Sequence, residues 1–429
     1  MFEANVLTRR QHRFSFAGQQ LFRKRRHAAF ETLEPRTVLT TFLFNPAPDT
    51  PVEVLTGFQE AANLWAAELL DDDVVVRLDI AHVPLGPDVI GATGSSTQIE
   101  DYADVLQALN QDASSIDDLD AVASLPTGSD VDLYINLTAD NPNGNGSDVP
   151  YVDANGGDNN RQIKLNTALA KALGFTATAA VDGNITFNSQ FEFDFDRSDG
   201  IDPDAIDFVG TAAHEIGHAL GFVSGVDDLE VRFTLFGAED ADDIVEVTPL
   251  DLFRYSNDSL TQGTQVIDFT ADTRAKFFTI DNGALRPGTF STGGLMAGAF
   301  QASHWEDSLG LGLMDPTMAD GEMGMLTELD LRAFDVIGWD RVPGGGSGDI
   351  EPPAPLSVIQ VSGTVFHDVN DNGAQEAGEM GIPGHTVFYD ANADGYQGFG
   401  EQAAITNAVG VWQMNLDLGD PPEFGARLP

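Results

Sequence analysis

The sequence predicts an α+β protein: a body of mixed sheet and helices over 41–340, then a small β-rich domain over 358–429. Three observations predict this. Apolar residues alternate in short runs (Val74, Val76, Leu78, Ile80; Val131, Leu133, Ile135), as on half-buried strands. Elsewhere they recur at helical spacing, as in Phe58, Ala61, Ala62, Trp65 and Leu69. Between the two regions, 341–357 holds a flexible Gly344-Gly345-Gly346 run followed by the stiffer Pro352-Pro353-Ala354-Pro355, the composition of an interdomain linker. A length of 429 residues suits two or three units, and 42% hydrophobic residues suffice for a core.

Taken along the chain, residues 1–40 form a basic head. Its first 36 residues carry eight Lys and Arg against three acids, leaving 13 basic against 65 acidic groups beyond it. Such a head on so acidic a body is expected to be an export or targeting segment outside the fold. In the body, Thr56-Gly57-Phe58-Gln59 reads as a capping box opening the first helix. Strands follow at 74–80 and 131–135, and 138–160, rich in Asn, Asp and Gly, reads as loop. Ile185–Phe187 and the alternating Phe191, Phe193 and Phe195 are further strands. A long helix is expected from an Asp202 cap and Pro203 to a stop at Gly221, and a final helix from Thr327 to Ile337, with Asp330 three residues after its cap and Gly338 as its stop.

Composition narrows the chemistry. The chain has no cysteine, which excludes disulfides, thiol catalysis and Cys-based zinc sites, so His, Asp and Glu remain as metal ligands. A net charge of −47 would repel a nucleic-acid backbone, so no nucleic-acid partner is expected. No apolar run approaches the roughly 18 residues of a membrane span, so no transmembrane segment is expected either.

Within the long helix lies His214-Glu215-Ile216-Gly217-His218. Histidines four apart project from one helical face and can reach one metal ion, while Glu215 stands beside the water that such an ion would activate. That residue pattern suits metal-assisted attack on a carbonyl, with Glu215 as general base. Zinc needs a third protein ligand. Beyond the head and the last domain, the other histidines are His82 and His304.

With Gly221 three residues after His218, the motif resembles the metzincin metallopeptidases. That family expects a third ligand three residues further on, where this chain has Ser224. The distant Ser303-His304-Trp305, the following Leu313-Met314 and the terminal Asp335-Val336-Ile337-Gly338-Trp339 resemble the leishmanolysin-like branch, in which an insertion, here 222–303, precedes the third histidine. The resemblance implies a metzincin-like catalytic domain over 41–340, with His214, His218 and His304 holding zinc and Met314 forming the Met-turn. Asp227 and Asp228 stand as reserve ligands, and losing Asp227 is expected to leave metal and activity intact. The family also implies an edge strand that pairs with extended substrate; Ile185–Phe187 could be that strand, or equally an internal strand of the sheet.

Two stretches beyond the linker fit the calcium-loop spacing: Asp368, Asn370, Asn372 and Glu379, then Asp390, Asn392, Asp394 and Glu401, with Gly373 and Gly395 at the sharp turns. Flanking runs at 361–366 and 385–389 read as strands, so the segment resembles the SdrD B-like repeats of bacterial surface proteins, which implies a small calcium-binding β-sandwich. Leu33-Glu34-Pro35-Arg36-Thr37-Val38-Leu39 resembles the LEPR-XLL segment of planctomycete surface and exported proteins. Together these resemblances imply a secreted or cell-surface zinc endopeptidase acting on protein or peptide substrates, with Zn2+ and Ca2+ as cofactors and attachment to a cell surface or matrix. The alternative is a non-catalytic, calcium-dependent adhesin or matrix protein with a protease-like body; an intact Glu215 favours catalysis.

Overall fold

The structure, a computed structural model, describes residues 40–71, 74–87, 89–236, 240–242, 244–342, 359–367, 375, 380–388 and 403–416. The head up to residue 39 and linker residues 343–358 lie outside this set. Helices and strands mix throughout the body, as the α+β expectation requires.

The strands are β1 (Thr41–Pro46), β2 (Val75–Val83), β3 (Gly91–Ser95), β4 (Thr97–Asp101), β5 (Leu133–Ile135), β6 (Tyr151–Asp153), β7 (Gln162–Asn166) and β8 (Gly183–Asn188). The main sheet runs β1-β2-β8-β3; the first three are parallel and β3 is antiparallel to β8, with Thr93 opposite Ile185. Ile185–Phe187 is therefore internal, and β3 is the edge strand beside it. Sequence patterning missed β3, because Gly91-Ala92-Thr93-Gly94-Ser95 has neither alternation nor strand propensity. Smaller ladders join β4 to β7, and β5 to β6 and Ile267–Asp268.

A 17-residue helix, Val52–Glu68, links β1 to β2, the crossover that parallel strands need. It begins four residues before the predicted capping box. Pro51 at φ −60 occupies the cap, and Thr56 lies inside the helix with its hydroxyl donating to the Val52 carbonyl. The motif helix spans Phe208–Leu220, later than the Asp202–Pro203 start, because Ile206–Asp207 is extended and pairs with Phe193–Asp194. That pair is all the ladder that the alternating phenylalanines form; Phe195 instead stacks on Phe208, with ring centroids 4.5 Å apart. Phe208 also packs edge-on to Phe58 and tilted against Phe187, locking the helix between the first helix and the sheet. The 138–160 loop contains β6 and a short helix, Asp158–Arg161. The closing helix, Glu328–Gly338, has the expected Thr327–Asp330 capping box and ends where Gly338 takes φ +117.

The stretch after the motif helix is folded in its own right. It holds a helix, Gly225–Thr234, and a three-stranded antiparallel sheet of Arg254–Tyr255, Lys276–Phe278 and Gly288–Phe290. The last of these strands bridges to Trp305, which delivers the chain back to the motif helix. In the C-terminal region, Ile359–Thr364 pairs antiparallel with Val411–Leu416, and Thr386–Phe388 with Ala403–Ile405. No helix among the described residues is long and apolar enough to cross a membrane.

One buried feature carries its own pH dependence. Asp71 and Asp112 both neighbour Asp340, and Asp335 neighbours Asp118; burial, reinforced by these carboxylates, pushes the pKa values of Asp71, Asp112 and Asp335 up to about 8, 7 and 8. The folded chain therefore holds more protons than the unfolded chain above about pH 4, and stability falls as pH rises through these raised values. Asp71→Asn is expected to melt about 5 °C higher than the parent at pH 8, with the gain shrinking by pH 5. Scanning calorimetry at the two pH values checks this; a lower melting temperature at pH 8 would contradict it.

Candidate metal centre

Three histidines converge from two segments 86 residues apart in sequence. His214 and His218 share one face of the motif helix, and His304 enters from the end of the insertion. The Nε2 atom of His218 lies 3.1 Å from that of His214 and 3.2 Å from that of His304. Each Nδ1 faces a backbone carbonyl: Leu313 at 2.7 Å for His214, Phe222 at 2.8 Å for His218, Gln301 at 3.2 Å for His304. A carbonyl can only accept, so the proton of each neutral ring sits on Nδ1 and the Nε2 lone pairs face one another. Burial and the neighbouring histidines hold His218 down to about 3 and His304 well below its ordinary range, so these rings are neutral at pH 7. Three lone pairs aimed at one point repel unless a cation lies between them. Nitrogen ligands of a tetrahedral zinc, at about 2.0–2.1 Å, stand about 3.3 Å apart, so the donor set and its spacing fit zinc.

The helix stop completes this geometry. Gly221 takes φ +123, which a side chain would resist, and the turn it makes swings the Phe222 carbonyl onto His218. Phe222 then packs edge-on against Trp305, next to His304, at 4.9 Å. Met314 is fully buried against Gly217, where an added Cβ would stand 2.5 Å from its Sδ. The glycine inside the motif thus lets that methionine approach the helix backbone between the two histidines.

Glu215 lies beside the triad, buried, and burial raises its pKa. Its Oε2 accepts a 2.6 Å hydrogen bond from Thr93, whose hydroxyl also reaches the Glu215 carbonyl at 3.0 Å. Its Oε1 faces the bare Cα of Gly91, where a Cβ would stand 2.9 Å away. Strand β3 thereby holds the glutamate, a role that nothing in the local sequence signals.

Residues from β3, the motif helix, His304 and 315–318 line a cleft of about 700 Å³. Of the other sequence candidates, His82 is on β2 against Phe193, away from the triad. Ser224 turns its hydroxyl to Asp251 at 2.6 Å, Asp228 pairs with Lys164, and the Asp227 carboxylate is occupied by Ala302 and Ser303; none joins the metal group. Asp368, Asn370, Asn372, Glu379, Asp390, Asn392, Asp394 and Glu401 lie outside the described residues.

Asp330 does more than the sequence suggested. Besides capping the closing helix, its buried carboxylate accepts from Leu313 N, Met314 N and Trp305 Nε1 at 2.8–3.3 Å. It therefore ties together both segments that face the motif helix. Asp330→Ala should leave these donors unpaired and destabilise the body by more than about 3 kcal/mol, read as the shift of a urea unfolding curve. A shift under about 1 kcal/mol would show that water replaces the carboxylate.

No known family model, curated protein or solved structure matches the chain. The residues themselves carry the functional reading.

Proposed function

We propose that the chain is a zinc-dependent endopeptidase of metzincin type, secreted or held at a cell surface. One observation carries this reading: the Nε2 atoms of three histidines meet beside a buried glutamate in an open cleft bordered by the edge strand β3. His214, His218 and His304 would hold zinc, which when bound acts as a Lewis acid and lowers the pKa of water towards neutrality. Glu215 is the proton acceptor. Thr93 fixes its Oε2, leaving Oε1 to take a proton from the attacking water and pass it to the leaving amine nitrogen. The raised pKa of the buried carboxyl suits a group that must both accept and release a proton. An extended peptide would pair with β3, whose small residues leave the backbone open, while Met314 forms an apolar floor under the site.

The test is zinc content together with hydrolysis of a mixed peptide library. Stoichiometric zinc without hydrolysis would favour a binding module or adhesin instead; no zinc would remove the basis of the reading. Calcium binding by the C-terminal loops rests on sequence spacing alone. Calcium should raise the melting temperature of the C-terminal transition, less so in Asp368→Ala and Asp390→Ala; an unmoved melt would reduce the loops to acidic linkers.

A further inference from the structure

We infer that Asp227 is the positioning residue for the third metal ligand: its carboxylate latches the end of the insertion to the turn after the motif helix and so places His304. The inference rests on the zinc reading above and adds a determinant of metal affinity that is not itself a ligand.

The latch is a chain of hydrogen bonds. The Asp227 carboxylate accepts from Ala302 N at 2.6 Å, Ser303 N at 2.9 Å and Ser303 Oγ at 2.5 Å. Ser303 Oγ in turn accepts from Ser224 N at 2.9 Å, and Ser224 Oγ donates to Asp251 at 2.6 Å. Asp251 also takes the Gly225 and Thr248 backbone N–H groups at 2.8 and 2.9 Å. Gly225 lies flush against the Glu246 carbonyl, with no space for a Cβ. The turn that bears Asp227 is therefore rigid before it grips the returning strand.

What it grips decides where His304 points. The imidazole Nδ1 is held by the carbonyl of Gln301, three residues back, and 301–303 is the stretch that Asp227 fixes. The main chain at and after His304 has ties of its own, Ser291 N to the His304 carbonyl at 2.9 Å, Trp305 N to the Met314 carbonyl at 3.0 Å and Trp305 Nε1 to Asp330 at 2.8 Å, whereas the stretch just before the ring is held by Asp227. Hydrogen bonds to an ionised carboxylate are about twice as strong as neutral ones, and three of them join the two ends of an insertion of some 80 residues just past the motif helix. Contacts outside the coordination shell that orient a metal ligand are worth about 10–100-fold in metal affinity, and Asp227 acts on the ring through the backbone that carries the Gln301 carbonyl. This reverses the sequence expectation that Asp227 is dispensable.

The experiment is a double-mutant cycle on zinc affinity, measured by chelator competition on the full chain, with near-ultraviolet circular dichroism as the check on folding. Asp227→Ala should bind zinc about 10–100-fold more weakly than the parent, yet cause no further loss in the His304→Ala background, whose residual two-imidazole affinity is read against a weaker chelator, because the latch acts only through that ring. Cobalt substituted for zinc should report a changed visible spectrum in Asp227→Ala, as a site short of one imidazole. Should Asp227→Ala not fold, Ser303→Ala removes two latch bonds, to Asp227 and from Ser224 N, and should still weaken zinc binding several-fold. Unchanged affinity in either folded variant, or the same loss in both backgrounds, overturns the latch. A parent protein that takes up no zinc overturns the underlying reading, and the latch with it.

Discussion

His304→Ala is expected to lose zinc at neutral pH and, with it, all peptide hydrolysis. The two imidazoles that remain on the motif helix cannot by themselves hold a catalytic zinc, which takes three protein ligands. Among the described residues, no other metal-ligating side chain is positioned to replace the third. Ser224, Asp227 and Asp228 are engaged with Asp251, Ser303 and Lys164, and among the described residues the three histidines are the one group with metal-ligand spacing. Metal content after gel filtration reads the result. Stoichiometric zinc in the variant would refute the assignment of His304. The fold should survive, since Trp305 keeps its hydrogen bond to Asp330 and its packing on Phe222 and Phe290.

Glu215→Ala is expected to separate the two readouts: zinc stays, and hydrolysis falls by about 10³-fold or more, the scale of a lost general base. The side chain is no ligand in the triad, and its removal leaves all three Nδ1–carbonyl bonds in place. Hydrolysis that persists at the parent rate in a zinc-loaded variant would sink the mechanism. Zinc lost along with activity would show instead that the glutamate and Thr93 are needed to support the helix face. The two variants together separate metal retention from proton transfer.

What was legible in the sequence is what depends on a few neighbouring residues. Two histidines at four-residue spacing share a helical face wherever the helix starts, so His214 and His218 could be paired although the start was misplaced by several residues. The Thr327–Asp330 box and the stops at Gly221 and Gly338 are equally local, and each stands in the structure at the predicted residue. Even so, local signals compete. Pro51 outranked Thr56 as a helix start, and pairing with Phe193 kept Ile206 extended despite the proline upstream.

Tertiary structure alone decided the rest, because pairing between distant segments leaves no periodic mark in one chain. Whether Ile185–Phe187 is an edge or an internal strand depended on Gly91–Ser95, some 90 residues away and without a strand pattern of its own. Thr93 reached Glu215 across 122 residues and Asp227 reached Ser303 across 76, both through polar contacts whose residue types are common everywhere. The sequence by itself determined the helix with its two imidazoles and glutamate, since helical geometry is short-ranged. Only the folded insertion, returning through the Gly288–Phe290 strand to Trp305, could bring His304 within 3.2 Å of His218, since that distance is set by packing over the whole body.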